Sequence, residues 1–90
     1  MKKYDYIVCY DIAHPKRLAR LARFLEKRLV RIQYSIFIAK SHSKEQIYQL
    51  AQQIVEHIDP DEDDVRIYRI LDYGISLGQA YDLDKVFIIV

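Results

Sequence analysis

Tyr4-Asp5-Tyr6-Ile7-Val8-Cys9-Tyr10-Asp11-Ile12 runs straight into Ala13-His14-Pro15 and a series of leucines set among lysines and arginines. The first stretch is rich in Tyr, Ile and Val, and it alternates. Tyr4, Tyr6, Val8, Tyr10 and Ile12 share one face; Asp5, Ile7, Cys9 and Asp11 share the other. Period two with β-branched and aromatic residues predicts a strand. Pro15 sits where a helix can begin, since its missing N–H costs nothing in a first turn. Leu18, Leu21, Ala22, Leu25 and Leu29 then follow the i, i+3, i+4, i+7 rule, which predicts a helix to about Arg28.

Residues 29–40 alternate again, with Val30, Ile32, Tyr34, Ile36 and Ile38 against Arg31, Gln33, Ser35, Phe37 and Ala39. Periodicity allows one long strand, or two short ones with a bend near residues 33–35. Ser43 followed by Gln46 has the form of a capping box. A second helix follows, its apolar stripe being Ile47, Leu50, Ala51, Ile54, Val55 and Ile58, and Asp59-Pro60 ends it. Residues 61–64 form an acidic turn, residues 65–71 a further strand, residues 73–77 a loop, and residues 85–90 a short, largely apolar final strand.

The order βα(ββ)αβ plus one strand is that of an α+β, ferredoxin-like βαββαβ sandwich, a sheet with two helices on one face. Ninety residues are expected to make one domain, 1–90, with a core small enough that burial in an oligomer would help it. The apolar final strand needs a sheet edge, and a second copy supplies one by strand exchange in a homodimer.

Composition narrows the function classes. No apolar run approaches the length of a membrane span, and no secretory leader is visible behind Met1-Lys2-Lys3. The one cysteine, Cys9, rules out an internal disulfide framework and suits a reducing cytoplasm. Residues 1–45 hold 11 Lys/Arg against 4 Asp/Glu, and residues 46–90 hold 3 against 9. A chain split this way can turn a basic face to a polyanion while staying near neutral overall, although two complementary faces can also pair with each other.

Three features could carry chemistry. Asp11 closes the first strand; a carboxylate there is either a ligand for a hard cation or a strand-end cap paired with an Arg. Lys16, Arg17, Arg20, Arg23, Lys27, Arg28 and Arg31 are interrupted only by Glu26, an imbalance that favours phosphate contacts over a merely solvated helix face. The eight tyrosines lack the glycine-aromatic signature of an RNA-recognition module and read as edge, core and interface residues. His14, His42 and His57 stand singly without metal-ligand spacing, and Cys9 reads as a small buried residue. There is no Gly-rich phosphate loop and no nucleophile elbow.

Tyr10-Asp11-Ile12, Arg31-Ile32-Gln33-Tyr34-Ser35-Ile36-Phe37 and Asp64-Val65-Arg66-Ile67-Tyr68, in this order, resemble the small CRISPR-associated protein that is the second core component of the spacer-acquisition machinery. The resemblance spans nearly the whole chain, and the Arg31–Phe37 segment is its most specific part. It implies a homodimer whose strand-one aspartates face each other, and partnership with the CRISPR integrase. It also implies binding of DNA or RNA, and Mg2+- or Mn2+-dependent endonuclease cleavage of single-stranded RNA or double-stranded DNA. Carried over by position, the catalytic and metal residue is Asp11, supported by Tyr10, Arg17, Arg31 and Phe37, with Arg20 a looser match. The basic stripe adds Lys16, Arg23 and Lys27. The chain departs from the family pattern at Ala13-His14-Pro15, at Arg28-Leu29 and at Ile38, which leaves fewer carboxylates near Asp11. That shifts weight towards a catalytically inactive adaptor bridging the integrase partner. A related toxin-type ribonuclease is the remaining alternative.

Overall fold

The computed structural model describes residues 1–78 and the backbone of Ile88–Ile89. Strand β1 (Tyr4–Asp11) leads to helix α1 (Pro15–Glu26), strands β2 (Val30–Gln33) and β3 (Ile36–His42), helix α2 (Lys44–Val55) and strand β4 (Asp64–Arg69). Two short strands, β5 (Ile75–Ser76) and β6 (Ile88–Ile89), complete the order. The main sheet runs β2-β3-β1-β4, with every pairing antiparallel. This is the ferredoxin-like arrangement, with β1 in the interior between β3 and β4.

Each helix starts where its side chains can satisfy the free N–H groups. His14 caps α1 through Nδ1, which accepts from the Lys16 N–H at 3.1 Å, and Pro15 follows in the first turn. Ser43 caps α2: its Oγ accepts from the Gln46 N–H at 3.2 Å, while Gln46 Oε1 accepts from the Ser43 N–H at 2.8 Å. The predicted β2–β3 stretch resolves into two strands. Tyr34-Ser35 makes a tight turn, with Ser35 in the left-handed region at φ 65°.

The alternation of β1 sorts its side chains as expected. Tyr6, Val8 and Tyr10 are buried against the helices with Phe37 and Ala39 of β3, Leu21 and Leu25 of α1, and Ile47, Leu50 and Ile54 of α2. Asp5, Ile7 and Cys9 lie half-buried on the other face, so Cys9 is not in the core between sheet and helices. Burying side chains of the size of Phe37, Leu21 and Leu25 contributes about 1.5–3 kcal/mol each.

Three expectations need correction. Helix α1 stops at Glu26 because the Arg28 and Leu29 N–H groups both close onto the Leu25 carbonyl, though Leu29 still packs into the core. Val55, expected on the inner stripe of α2, is 61 % exposed, since the chain leaves the helix there. The predicted loop at residues 73–77 contains β5, which pairs in parallel with β6 after Gly74 turns the backbone at φ 68°. Apart from Ile88–Ile89, the predicted final strand lies outside the described residues. No helix among the described residues is long and apolar enough to cross a membrane.

Candidate nucleic-acid and metal site

Consecutive strand residues point to opposite faces, so Tyr10 and Asp11 part company. Asp11 is exposed at the end of β1 on the face away from the helices. The β1–β4 register sets it directly opposite Asp64, and sets Cys9 opposite Arg66. Residues opposite each other in an antiparallel ladder share a face, so Asp11, Asp64 and Arg66 form one group at this end of the sheet. Arg66 Nε donates to Asp64 Oδ2 at 3.0 Å.

In the sequence Asp64 closes an acidic turn and opens one of the segments that carry the resemblance, and neither reading marks it as a partner of Asp11, yet a signal is present. Counting back two from Arg66 along β4 puts Asp64 on the same face, and the antiparallel β1–β4 pairing of the fold brings the two strand ends together.

Tyr10, Arg31 and Phe37 gather on the helix side instead. The Tyr10 and Phe37 rings stack at 6.2 Å between centroids, and the Arg31 guanidinium lies 5.2 Å from the Phe37 centroid and 5.8 Å from that of Tyr34. Arg31 also forms an ion pair with Glu26 at 2.9 Å. Two buried polar atoms here, Tyr10 Oη and Arg31 Nε, have no hydrogen-bond partner. Burial pushes the Tyr10 hydroxyl above its ordinary pKa, a rise tempered by the charge of Arg31.

Arg17 is taken up by the acidic turn. Its Nε donates to Asp63 Oδ2 at 2.9 Å, and a terminal nitrogen donates to Glu62 at 3.0 Å. Asp63 also accepts from the Ala13 N–H at 2.9 Å and from the Asp59 N–H at 2.8 Å. The Arg17 guanidinium and these amides hold the Asp63 carboxyl well below the usual carboxylate range, against the opposing effect of its burial.

Lys16, Arg20, Arg23 and Lys27 remain on the outer face of α1, all exposed and with no ion pair among the described residues. Lys16, Ala19, Arg20 and Arg23 line a shallow open depression. The four cations follow i, i+4, i+7, i+11 spacing, so like charges stand side by side at a cost of a few tenths of a kcal/mol per pair. No acidic residue occupies the first turn of α1, where a carboxylate would suit the helix dipole. Arg28 turns back over Phe24, 4.0 Å from the ring centroid.

As a donor set for a cation, Asp11 and Asp64 offer hard carboxylate oxygens, which suit Mg2+ or Mn2+. No His, Cys, Asp or Glu group of three or more among the described residues is arranged to hold a metal by itself. Two carboxylates with water and substrate phosphate filling the remaining positions is an ordinary way to bind Mg2+, so the donor chemistry fits.

Residues 4–75 match the family model described as CRISPR associated protein Cas2. This chain belongs to the Cas2 family. It is 42 % identical over 72 residues to CRISPR-associated endoribonuclease Cas2 1 of Nitrosomonas europaea, covering 80 % of this chain and 68 % of the relative. A hypothetical protein of Thermus thermophilus, TT1823, superposes with a TM-score of 0.79 at 28 % identity, over 88 % of this chain and 95 % of the other. A chain of a partial Cas6-RT-Cas1–Cas2 complex does so with a TM-score of 0.65 at 33 % identity, over 78 % of this chain and 74 % of that one. The Cas2 match takes in Asp11, Asp64 and all of α1.

Proposed function

We propose that this protein is a nucleic-acid-binding subunit of CRISPR spacer acquisition, with a metal-dependent phosphodiesterase site at Asp11. The observation that carries the proposal is the row Lys16, Arg20, Arg23 and Lys27. These unneutralised cations start one turn after the Asp11–Asp64 strand ends. Such a row holds a phosphate backbone without reading its sequence.

The chain's own residues divide the work. Lys16, at the start of α1, is the member of the row nearest Asp11 in sequence and holds the phosphate backbone at that end of the helix. Arg20, Arg23 and Lys27 hold the backbone further along a helix about 18 Å long. Asp11 and Asp64 supply the cation's ligands, and Arg66 fixes the Asp64 carboxylate. The chemistry that Mg2+ held there would supply is charge neutralisation at the phosphate and a more acidic water. The endoribonuclease name of the Nitrosomonas relative supports RNA as one substrate. The Cas1–Cas2 complex that contains the similar chain supports the integrase as a partner.

The proposal includes a homodimer. The sheet face opposite the helices carries Ile7, Cys9 and Ile36, all half-buried, and ends in Asp11. Pairing this face with a second copy covers the apolar residues and brings two Asp11 side chains together.

A specific observation favours the second reading, a structural adaptor without catalysis. One of the two carboxylates, Asp64, is already engaged by Arg66. Cleavage of single-stranded RNA and double-stranded DNA by wild type and Asp11→Asn, with and without Mg2+, separates the two. Loss of metal-dependent cleavage in the variant supports the enzyme. Absence of cleavage from both proteins, with capture of the integrase partner intact, supports the adaptor. Full cleavage by Asp11→Asn removes Asp11 from the site.

A further inference from the structure

Asp63 takes no part in the Asp11–Asp64 group, yet it is the most heavily bonded carboxylate among the described residues. Its side chain is fully buried. Four donors from three segments converge on it: the Ala13 N–H at 2.9 Å, the Asp59 N–H at 2.8 Å, and two Arg17 nitrogens at 2.9 and 3.3 Å. Its own N–H donates to the Asp59 carbonyl at 2.8 Å.

The places of these donors matter more than their number. Ala13 is two residues beyond Asp11, where the chain leaves β1 for α1. Asp63 immediately precedes Asp64, where the chain enters β4. The Ala13–Asp63 bond therefore ties the two strand ends just past the last pair of the ladder, Asp11 and Asp64. Like charges disfavour such a pair, the ion pair of Arg66 offsets only the Asp64 side of it, and ladder ends fray most easily. Without the tie, the strand ends would splay and carry the carboxylates apart.

We infer that Asp63 is a positioning residue, whose bond to the Ala13 N–H holds the Asp11 and Asp64 carboxylates close enough to share one divalent cation. This rests on the reading of Asp11 as a cation ligand. Arg17 on this view stabilises Asp63 and the start of α1 without setting the distance between the strand ends. Groups that orient metal ligands from behind commonly change affinity by about 10–100-fold when removed.

The test measures Mn2+ binding to the full chain from the fall in the free-ion EPR signal. Each variant is held at a temperature where circular dichroism shows it folded. Asp63→Ala is expected to weaken Mn2+ binding by about 10-fold and to speed hydrogen exchange at Ala13. Asp63→Asn, which keeps one acceptor oxygen for the backbone, is expected to fall between wild type and Asp63→Ala. Arg17→Gln is expected to lower the melting temperature while leaving Mn2+ affinity close to wild type, which a merely stabilising role for Asp63 would not separate. Wild-type affinity in both Asp63 variants, with loss in Asp11→Asn, overturns the inference and leaves the cation site standing. If Asp63→Ala does not fold, Asp63→Leu, which likewise offers the Ala13 N–H no acceptor, takes its place, and unchanged affinity there overturns the inference equally. Wild-type Mn2+ binding that survives Asp11→Asn overturns the cation site and the inference together.

Discussion

Asp11 and Asp64 are direct cross-strand partners at the open end of the β1–β4 ladder, two acidic side chains on one face of the sheet. Like charges placed this way destabilise a sheet by up to about 1 kcal/mol. The ion pair of Arg66 with Asp64 at 3.0 Å offsets part of that cost, and a cation would remove the remainder.

The first prediction follows from that cost. In metal-free buffer Asp11→Asn is expected to raise stability by about 0.5 kcal/mol, because it removes the repulsion. Addition of Mg2+ or Mn2+ is expected to raise the melting temperature of wild type and not that of the variant, since a ligand that binds only the folded state stabilises it by mass action. Thermal melts with and without metal check both. A metal-induced shift of equal size in the two proteins places the cation elsewhere.

The stripe on α1 presents the same opposition between stability and function. Arg20 stands four residues after Lys16 and three before Arg23, so it is repelled from both sides. Arg20→Glu is expected to stabilise the free protein by a few tenths of a kcal/mol. It is also expected to weaken nucleic-acid binding and to reduce the slope of log affinity against log salt by about 1. Chemical denaturation and binding titrations over a range of salt read the two effects. An unchanged slope removes Arg20 from the interface.

Tyr10 and Phe37 test whether residues that accompany Asp11 in the sequence motifs also accompany it in function. Their rings lie on the helix side, and the Tyr10 hydroxyl is buried without a partner. The hydroxyl makes no bond of good geometry but feels the Arg31 guanidinium, so what it costs to bury is partly offset and Tyr10→Phe is expected to change stability by less than about 1 kcal/mol and to leave cleavage and binding intact. Phe37→Ala is expected to cost about 3–5 kcal/mol by opening a cavity in the core. Urea unfolding beside a cleavage assay checks the pair. Loss of cleavage in a fully folded Tyr10→Phe would make the hydroxyl part of the site.

The local parts of this molecule were legible in its sequence. The alternation of β1, the leucine spacing of α1 and the Ser43/Gln46 box each reflect near-neighbour geometry, and each appears in the structure. Residues 29–40 were ambiguous for a physical reason: the two-residue turn exchanges the faces, with Gln33 opposite Ile36, but the bulge between Arg31 and Gln33 exchanges them back, so the period of two runs unbroken through the hairpin and one strand looks like two. The site was legible only in part. In the sequence Arg17 and Arg31 belong to the basic run; the fold pairs Arg17 with Asp63, 46 residues away, and Arg31 with Glu26 across the end of α1. Asp64 became visible only through the register of two strands far apart in the chain.

The far end of β1 offers a test by pH. Asp5 accepts from the Tyr73 hydroxyl at 2.6 Å and from the Ser41 N–H at 2.8 Å. Burial raises its pKa, but these bonds and the charges of Lys40 and His42 outweigh that and hold the carboxyl below its ordinary value. Near an ordinary pKa of about 3.9 the unfolded chain takes up the proton first, so stability present at neutral pH is lost as the pH falls through and below that value. Tyr73→Phe removes the hydroxyl donor and is expected to cost about 1 kcal/mol at pH 7, the low end for a bond to a charged group because solvent screens part of it. The difference between wild type and variant is expected to shrink as Asp5 is protonated in both. Melting temperatures from pH 7 down to pH 2 measure it. A gap that stays constant over this range would mean that the Tyr73 hydroxyl stabilises the fold without drawing on the charge of Asp5.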